Sequence, residues 1–235
     1  MSRHVTRRGV LAGGAAALAL PNSLGAQAAY PDKPIKVIVP FGPGGLADVT
    51  IRVTGEKLGA LLGQQIVVVN QPGAGGVTAA KAVLSAPADG YTLALLTNGT
   101  AVSAALVKAL AFDPVKDFEP VSSLGFFDFL FLAAGNGPYK TLQEFIDAAK
   151  AKPGTLNIGT INVGSTQNLT AALLKSTTGI DCAIVPFRTT PDVMTAVLRG
   201  DVQVAVDGFA SAKGMLADGQ LRALASSAGK RGKST

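Results

Sequence analysis

Residues 41–48 read Phe41-Gly42-Pro43-Gly44-Gly45-Leu46-Ala47-Asp48, and they join a β-rich apolar run to a run with helical spacing. The apolar run, Ile35–Val39, predicts a strand, and Ala47–Leu62 predicts a helix. Glycines at such a turn let the backbone approach a ligand closely, and the helix start directs unpaired N–H groups toward it. We therefore predict an anion site made from peptide groups, favoured by the positive end of the helix dipole.

Four interpretations of this loop compete. A phosphate loop requires Gly-Lys-Ser/Thr at its end, which is missing here. A dinucleotide fingerprint is half met by Gly42, Gly44 and Ala47, but the second strand ends at Asn70 instead of an acid. A carboxylate cradle needs only the N–H groups, and a tight turn without a ligand also remains open.

Outward from this loop, strand-like and helix-like runs alternate along the chain, which predicts an α/β fold of mostly parallel sheets with helices on their faces. The predicted strands are Ile35–Val39, Gln65–Val69, Tyr91–Leu96, Val121–Leu124, Phe129–Ala133, Leu156–Gly159, Ala183–Pro186, Val202–Asp207 and Leu221–Ala225. The predicted helices are Ala47–Leu62, Val77–Leu84, Val102–Leu110, Thr141–Ala151, Ser165–Thr177, Thr190–Arg199 and Ser211–Asp218. Residues Gly125–Asp128 are a candidate crossover between two lobes.

Other strand-to-helix turns resemble the first one. They are Gln71–Gly76, Thr97-Asn98-Gly99-Thr100 and Gly164-Ser165-Thr166. All follow predicted strands, and open α/β sheets bind ligands at the carboxyl ends of their strands. Each turn alone is usually structural, but their convergence on one edge favours a binding site.

Two charged residues at strand ends each have two interpretations. Asp207 ends an apolar strand, where it either caps the next helix near Ser211 or holds a ligand hydroxyl or ammonium group. Arg188 follows a strand as well, and it either pairs with Asp192 on the surface or supplies a cation to the cleft.

The composition argues against nucleic-acid binding and against most catalytic chemistry. Six of the 21 basic residues lie at the chain ends, so the remaining 15 balance 15 acids and leave no basic stripe. The single histidine is His4 and the single cysteine is Cys182, which leaves no nucleophile–base pair and no disulfide. No acids show metal-site spacing, so we expect no catalytic residues, no metal and no cofactor.

Residues 1–28 have the pattern of an export signal. Arg3, Arg7 and Arg8 form a positive head, Gly9–Leu20 is apolar, and Ala26-Gln27-Ala28 has the small-x-small pattern of a cleavage site. The apolar run is shorter than the ~20 residues that a membrane span requires. Thr6–Leu11 resembles a twin-arginine signal, although general secretion stays open. Both routes predict a periplasmic protein cleaved near Ala28.

The ordered motifs of the mature chain resemble the Bug/TctC-like receptors of tripartite tricarboxylate transporters. The resemblance is carried by Tyr30-Pro31, Pro40–Gly45 with Asp48 and Arg52, Asn70–Gly76, Ala88–Leu93, Asp117–Val121, Gly164-Ser165, Val185-Pro186-Phe187 and Gly200-Asp201-Val202. It implies a two-lobe, Venus-flytrap fold of the type II periplasmic binding-protein class, without enzyme activity. The implied partners are a small carboxylate ligand and a membrane permease, with the receptor itself a monomer.

The resemblance also implies a division of the chain and a set of ligand contacts. Residues 29–124 would form lobe 1, 125–222 lobe 2, and 223–235 the start of a return to lobe 1 with a frayed basic tail. Loop Phe41–Leu46 and the turn at Gly164 would hold a carboxylate. The predicted ligand-binding residues are Phe41, Gly42, Gly44, Gly45, Leu46, Thr97, Asn98, Gly164, Ser165, Thr166, Arg188 and Asp207.

The chain departs from the family pattern at three points. Asn168 stands where many members have histidine, and Thr189 stands where glycine is usual. Family members usually continue past residue 235, so we expect a truncated copy whose lobe 1 is incomplete. Two alternative functions share the fold or the compartment: an exported sensory adaptor for the same ligands, and an exported enzyme using Asp207 or a lysine.

Overall fold

The computed structural model describes residues 29–108 and 110–229, so the predicted export signal and the last six residues lie outside the described part. Two β-sheets with flanking helices organise the chain from Lys33 onward. We call the first sheet with its helices the first lobe, and the second sheet with its helices the second lobe.

The first lobe is built on three parallel strands in the order β2-β1-β3. Its elements are β1 (Ile35–Val39), α1 (Leu46–Leu62), β2 (Ile66–Asn70), a 3₁₀ turn (Ala74–Gly76), α2 (Val77–Leu84), β3 (Thr92–Ala94) and α3 (Asn98–Leu106). One buried cluster of its core contains Val37, Val39 and Ile51, and Ile38 and Ala80 are buried as well. Helix α1 ends at Gly63, whose φ of 66° is the left-handed conformation that favours glycine after a helix.

The second lobe contains a five-stranded sheet in the order β6-β5-β7-β4-β8. Its elements are β4 (Phe129–Ala134), α4 (Leu142–Ala151), β5 (Asn157–Ile161), α5 (Thr166–Thr178), β6 (Ala183–Phe187), α6 (Thr190–Arg199), β7 (Val204–Gly208), α7 (Phe209–Ala217) and β8 (Leu221–Ser226). Strands β5, β6 and β7 are parallel, whereas β4 is antiparallel to both β7 and β8. The second sheet is therefore mixed.

Apolar cores cover both faces of this second sheet. Because successive side chains of a strand point to opposite faces, Ala205 joins one core while Val204 and Val206 join the other. The centre of each core is inaccessible to solvent, because Leu132 on one face and Phe145 on the other are both 0% exposed. The second lobe is thus a three-layer unit with helices on each face.

The alternation of strands and helices is confirmed, although several bounds differ from the predicted ones. Val121–Leu124 was predicted as a strand and is irregular, because it pairs with no strand of the described residues and Val121 is 81% exposed. The third strand is shorter than predicted, and α3 begins at Asn98 instead of Val102. The cap of α6 is Thr189, one residue before the predicted Thr190.

The far end of the described chain stays with the second lobe. Strand β8 runs to Ser226, beyond the boundary predicted at 222, because its pairing with β4 continues from Leu221 to Ser226. The division of the chain into lobes at 29–124 and 125–222 stays a prediction.

The register of the strands places the candidate loops. In the first sheet Val39 aligns with Asn70, and the loops after β1, β2 and β3 leave from the same edge. In the second sheet β5, β6 and β7 run in one direction, so the turns at 162–165, 188–189 and 207–208 also share an edge.

Candidate functional site

The loop between β1 and α1 is held from within by a buried carboxylate. Asp48 is 3% exposed and accepts hydrogen bonds from the Gly44 N–H at 3.0 Å, from Arg52 Nε at 2.9 Å and from Asn70 Nδ2 at 2.9 Å. Asn70 Nδ2 also donates to the Phe41 carbonyl at 3.0 Å, and Arg52 Nη2 donates to Asn70 Oδ1 at 3.1 Å. The Asp48–Arg52–Asn70 network therefore fixes both ends of the predicted cradle.

This network also fixes the charge of Asp48. Burial would raise the pKa of Asp48, but the hydrogen bonds from Arg52, Gly44 and Asn70, with the positive charge of Arg52, outweigh burial and lower it. The residue is accordingly a carboxylate at neutral pH, and it already takes the Gly44 N–H that we predicted to face a ligand.

The amides left over lie at the start of α1. Gly45 is the N-cap and has no side chain to satisfy the helix end, and Leu46 and Ala47 form the first turn. Within residues 29–108 and 110–229, the N–H groups of Gly45, Leu46 and Ala47 have no hydrogen-bond acceptor. Three donors thus lie at the positive end of a 17-residue helix, one to three residues beyond the Gly44 N–H, and an anion site at this point stays a prediction.

The glycine loop of the first lobe lies directly against the β6–α6 turn of the second. A Cβ placed on Gly42 would lie 2.8 Å from Thr189 Cγ2 and 2.9 Å from the Arg188 carbonyl oxygen. A Cβ on Gly44 would lie 3.0 Å from Pro191 Cγ, and one on Gly45 would lie 3.0 Å from Thr190 Oγ1. The other lobe leaves no room for a side chain at Gly42 and little room at Gly45, while Gly44 has a φ of +79° that by itself favours glycine.

A second set of contacts joins the lobes farther along the same edge. A Cβ on Gly99 would lie 3.2 Å from the Gly164 carbonyl, and one on Gly164 would lie 3.7 Å from Gly75 Cα. A Cβ on Gly76 would lie 3.4 Å from Pro40 Cβ, so this set adjoins the loop after β1. The predicted residues Gly44, Gly45, Gly99 and Gly164 thus line one continuous boundary between the lobes.

Thr97 is the N-cap of α3 and lies on this boundary. Its side chain faces the Thr100 N–H and its own N–H donates to Thr100 Oγ1 at 3.4 Å, the arrangement of a capping box. Thr97 Oγ1 is buried 3.5 Å from the Cβ position of Gly99, and its hydroxyl hydrogen has no acceptor among the described residues. A ligand or water oxygen could take that hydrogen.

Ser165 and Thr166 start helix α5, and the hydroxyl of Ser165 has a structural role. Ser165 is 0% exposed, accepts from the Asn168 N–H at 3.1 Å and donates to the Ile161 carbonyl at 3.3 Å. Asn168 in turn donates to Thr160 Oγ1 at 3.1 Å and accepts from the Gly164 N–H at 3.4 Å. Asn168 therefore locks this turn from within the second lobe.

Asp207 has the position of a buried helix-start acid. It is 0% exposed, and it accepts from Thr190 Oγ1 at 2.6 Å, the Gly208 N–H at 2.7 Å and Ser211 Oγ at 2.9 Å. Burial raises the pKa of Asp207, despite these hydrogen bonds and one from Gln167. The N-cap of α7 is Gly208, without a side-chain cap, so Asp207 contacts the helix start through the Gly208 N–H and the Ser211 hydroxyl only. A ligand contact through Asp207 stays a prediction.

Four other predicted residues have simpler positions. Phe41 packs between the cores of both lobes, and Leu46 is buried against Gly208, whose Cβ position lies 2.5 Å from Leu46 Cδ2. Asn98 and Arg188 are exposed. Arg188 and Asp192 form no ion pair among the described residues. Asp192 instead accepts from Thr189 Oγ1 at 2.6 Å, and its N–H donates back to Thr189, the cap of α6.

Sequence reasoning did not assign Asp48, Arg52 or Thr189 to the site, although all three contribute to its geometry. Asp48 and Arg52 are four residues apart on α1, a spacing that brings opposite charges together on one helix face and could have revealed the network. Thr189 was noted only as a departure from the family pattern, although Thr-x-x-Asp is a signal for a helix start.

An open groove of about 550 Å³ lies away from this boundary, between α1 and β2. It is lined by Arg52, Gly55, Glu56, Gly59, Gly63, Gln64, Gln65, Ile66 and Val68. None of the predicted ligand-binding residues lines it. The described residues contain no cluster of His, Cys, Asp and Glu that could hold a metal ion. No helix among them has the length and apolar composition for crossing a membrane.

Comparison with known families identifies the chain. The model of the tripartite tricarboxylate transporter family receptor, TctC, matches residues 50–234. The chain belongs to the TctC family. A UPF0065 protein of Cupriavidus necator is 34% identical over 97% of this chain and 70% of its own length. The chain spans 54% to 70% of the lengths of its curated relatives.

Solved structures show the same fold for TctC relatives. A periplasmic transporter superimposes with a TM-score of 0.82 at 32% identity, over 87% of this chain and 69% of the other. MatC (Rpa3494) from Rhodopseudomonas palustris with bound malate gives 0.79 at 33% identity, over 86% and 69%. R. palustris Rpa4515 with adipate gives 0.79 at 29%, over 86% and 68%. The predicted α/β periplasmic binding-protein fold is confirmed.

Membership of the TctC family also bears on the alternatives raised by the sequence. The family comprises periplasmic solute-binding receptors, which are not enzymes. The alternative of an enzyme using Asp207 is further disfavoured by the structure, because that carboxylate is 0% exposed and bound to its own lobe.

Proposed function

We propose that this TctC-family chain is an exported receptor that captures a small carboxylate between its lobes and delivers it to the permease of a tripartite tricarboxylate transporter. The predicted signal at residues 1–28, with cleavage near Ala28, would place it in the periplasm. The observation that carries the proposal is the set of unpaired amides at the start of α1, which lies beside the boundary between the lobes.

The chemistry of these groups suits a carboxylate. The N–H groups of Gly45, Leu46 and Ala47 supply donors and a positive helix end without any formal charge. The Thr97 hydroxyl, whose hydrogen has no acceptor among the described residues, adds a further donor on the same boundary. Closure of the lobes would exclude water and strengthen these hydrogen bonds. The relatives solved with malate and with adipate support a dicarboxylate.

The first experiment measures the melting temperature of the full chain with malate and with adipate. A ligand that binds only the folded protein stabilises it by about 2.7 kcal/mol at a hundredfold excess over Kd. We expect a concentration-dependent rise in melting temperature with at least one of the two. No rise with either compound, at concentrations up to the millimolar range, contradicts the dicarboxylate proposal.

The substitution Ala47→Pro tests the amides directly. Proline removes one N–H but is tolerated in the first turn of a helix, and Pro191 occupies the corresponding turn of α6. A hydrogen bond to a charged group contributes about 1.5–3 kcal/mol, so affinity should fall roughly tenfold to a hundredfold. Isothermal titration calorimetry with the dicarboxylate that binds measures the loss.

The matched control is Gln143→Pro, at the second position of α4. Gln143 is exposed and lies on a helix that faces the second core instead of the lobe boundary. This variant carries the same backbone change and should keep the affinity of the wild-type chain. Equal affinities of Ala47→Pro and Gln143→Pro would show that the α1 amides do not bind the ligand.

A further inference from the structure

We infer that Thr189 acts as a stop between the two lobes, which sets how closely they approach and thereby selects carboxylate ligands by length. The selection by length rests on the function proposed above. Thr189 faces Gly42 across the lobe boundary. Its Cγ2 lies nearer to the Cβ position of Gly42 than the facing residues lie to the Cβ positions of Gly44 and Gly45.

The orientation of the Thr189 side chain is fixed by the helix that it caps. Its Oγ1 donates to Asp192 Oδ2 at 2.6 Å and accepts from the Asp192 N–H at 3.3 Å. With the hydroxyl held on α6, the Cγ2 methyl group is directed at Gly42, 2.8 Å from its Cβ position. The methyl group makes no polar contact, so its effect on the first lobe is steric.

The opposite side of the contact is equally specific. Gly42 is buried, and its φ is not in the left-handed region that would by itself require glycine. A methyl group at position 42 is excluded only by Thr189 and by the Arg188 carbonyl oxygen, which is 2.9 Å from the Cβ position. Position 42 is therefore kept small by the approach of the other lobe.

The stop lies next to the groups proposed to bind ligand. Going from Gly42 to Gly45, the loop passes from Thr189 to Thr190 on the facing turn, and the unpaired amides begin at Gly45. A ligand on those amides lies beside the Thr189–Gly42 contact, so the height of the gap that it fills depends on this contact. Removing the methyl group of Thr189 should narrow the gap between the lobes, and adding a methyl group at Gly42 should widen it.

The experiment measures dissociation constants for malate and for the longer adipate by isothermal titration calorimetry, in the wild-type chain, Thr189→Ser and Gly42→Ala. Thr189→Ser removes the methyl group and keeps the hydroxyl that caps α6. We expect the preference for malate over adipate to rise in Thr189→Ser and to fall in Gly42→Ala, each by about tenfold, as expected for one methyl group in a packed site. Combining both substitutions should return the preference toward that of the wild-type chain.

Thr189→Val separates the steric effect from capping. Valine keeps a methyl group toward Gly42 and loses the hydroxyl, so the melting temperature should fall because the cap is lost. The ratio of the two dissociation constants should stay near that of the wild-type chain. If Thr189 has a purely structural role, the ratio of dissociation constants should be the same in all variants, including Thr189→Ser and Gly42→Ala, and only stability should change.

A double-mutant cycle without ligand tests the contact itself. Gly42→Ala should raise the unfolding equilibrium constant about fivefold more in the wild-type chain than in Thr189→Ser, because only the former retains the opposing methyl group. Ligand binding with unchanged ratios in every variant overturns the selection by length and leaves the receptor function standing. If neither compound binds the wild-type chain, the proposed function and the selection both fail, and an additive cycle would show that the stop is absent as well.

Discussion

Each lobe buries one acid where a strand gives way to a helix, and the two acids respond to burial in opposite ways. Asp48 in the first lobe and Asp207 in the second are 3% and 0% exposed, and each accepts a backbone N–H and side-chain donors. The pKa of Asp48 is lowered, whereas the pKa of Asp207 is raised. Two features differ. Asp207 lies deeper in the protein, so burial raises its pKa most, and Asp48 has the charged donor Arg52 whereas the donors around Asp207 are all neutral.

The comparison shows how the same turn can serve two purposes. In the first lobe the cation keeps Asp48 charged, and the network holds the Gly44 end of the loop while the next three amides stay unpaired. In the second lobe Asp207 takes the Gly208 N–H and the hydroxyl groups of two adjoining helices. The first turn leaves three amide donors without an acceptor among the described residues, and the second uses its donors internally.

The largest expected loss of stability comes from removing Asp207, the acid that has no cationic partner among the described residues. Asp207→Ala leaves the Gly208 N–H and the Thr190 hydroxyl buried without an acceptor, so we expect a loss of about 3 kcal/mol in the free energy of unfolding. Asp48→Ala should cost less, about 2 kcal/mol, because Arg52 is half exposed and can be hydrated. Urea unfolding at neutral pH measures both, and a larger loss for Asp48→Ala would contradict this account of the two turns.

The sequence predicted the elements around these turns well because the signals there are local. Pro, Gly and Asn mark the ends of strands in the first sheet. Thr141 and Ser165 cap their helices as expected. Val121–Leu124 was predicted wrongly for the opposite reason. A β-rich run becomes a strand only beside a partner, and the described residues supply none for it.

The site was predictable in outline and not in its hydrogen bonds. The glycine loops could be placed on one edge because parallel strands end together. The sequence could not show that Asp48 takes the Gly44 N–H, that the Thr97 hydroxyl hydrogen has no acceptor among the described residues, or that Thr189 faces Gly42. These features depend on the approach of distant segments, which periodicity and turn signals do not encode.

A second prediction uses pH to separate the two acids. For Asp48, whose pKa is lowered on folding, the stabilising contribution is present above the unfolded value of about 3.9 and is lost as the pH falls through the folded value. For Asp207, whose pKa is raised, the contribution is present below about 3.9 and is lost as the pH rises through the folded value. The two acids should therefore give opposite slopes.

The test compares each wild-type acid with its neutral amide. The free energy of unfolding of the wild-type chain minus that of Asp48→Asn should increase as the pH rises from acidic to neutral. The same difference for Asp207→Asn should decrease over that range. Parallel profiles for the two variants would mean that Arg52 does not set the charge of Asp48.

The substitution with the smallest expected effect on stability tests the comparison most directly, because it leaves Asp48 with neutral donors only, as at Asp207. Arg52→Met removes the cation and keeps much of the apolar stem, and since Arg52 is 51% exposed the loss in stability should be below about 1 kcal/mol. The pKa of Asp48 should nevertheless rise, since burial then acts against two neutral donors only. A carboxyl-detected NMR titration measures this shift.

Lys57→Met is the control on the same helix, because Lys57 is exposed and forms no ion pair among the described residues. It removes an equal charge and should leave the titration of Asp48 in place. If Arg52→Met leaves that titration in place as well, the low pKa of Asp48 comes from the Gly44 and Asn70 donors. The contrast with Asp207 would then lie in the kind of donor and not in the cation.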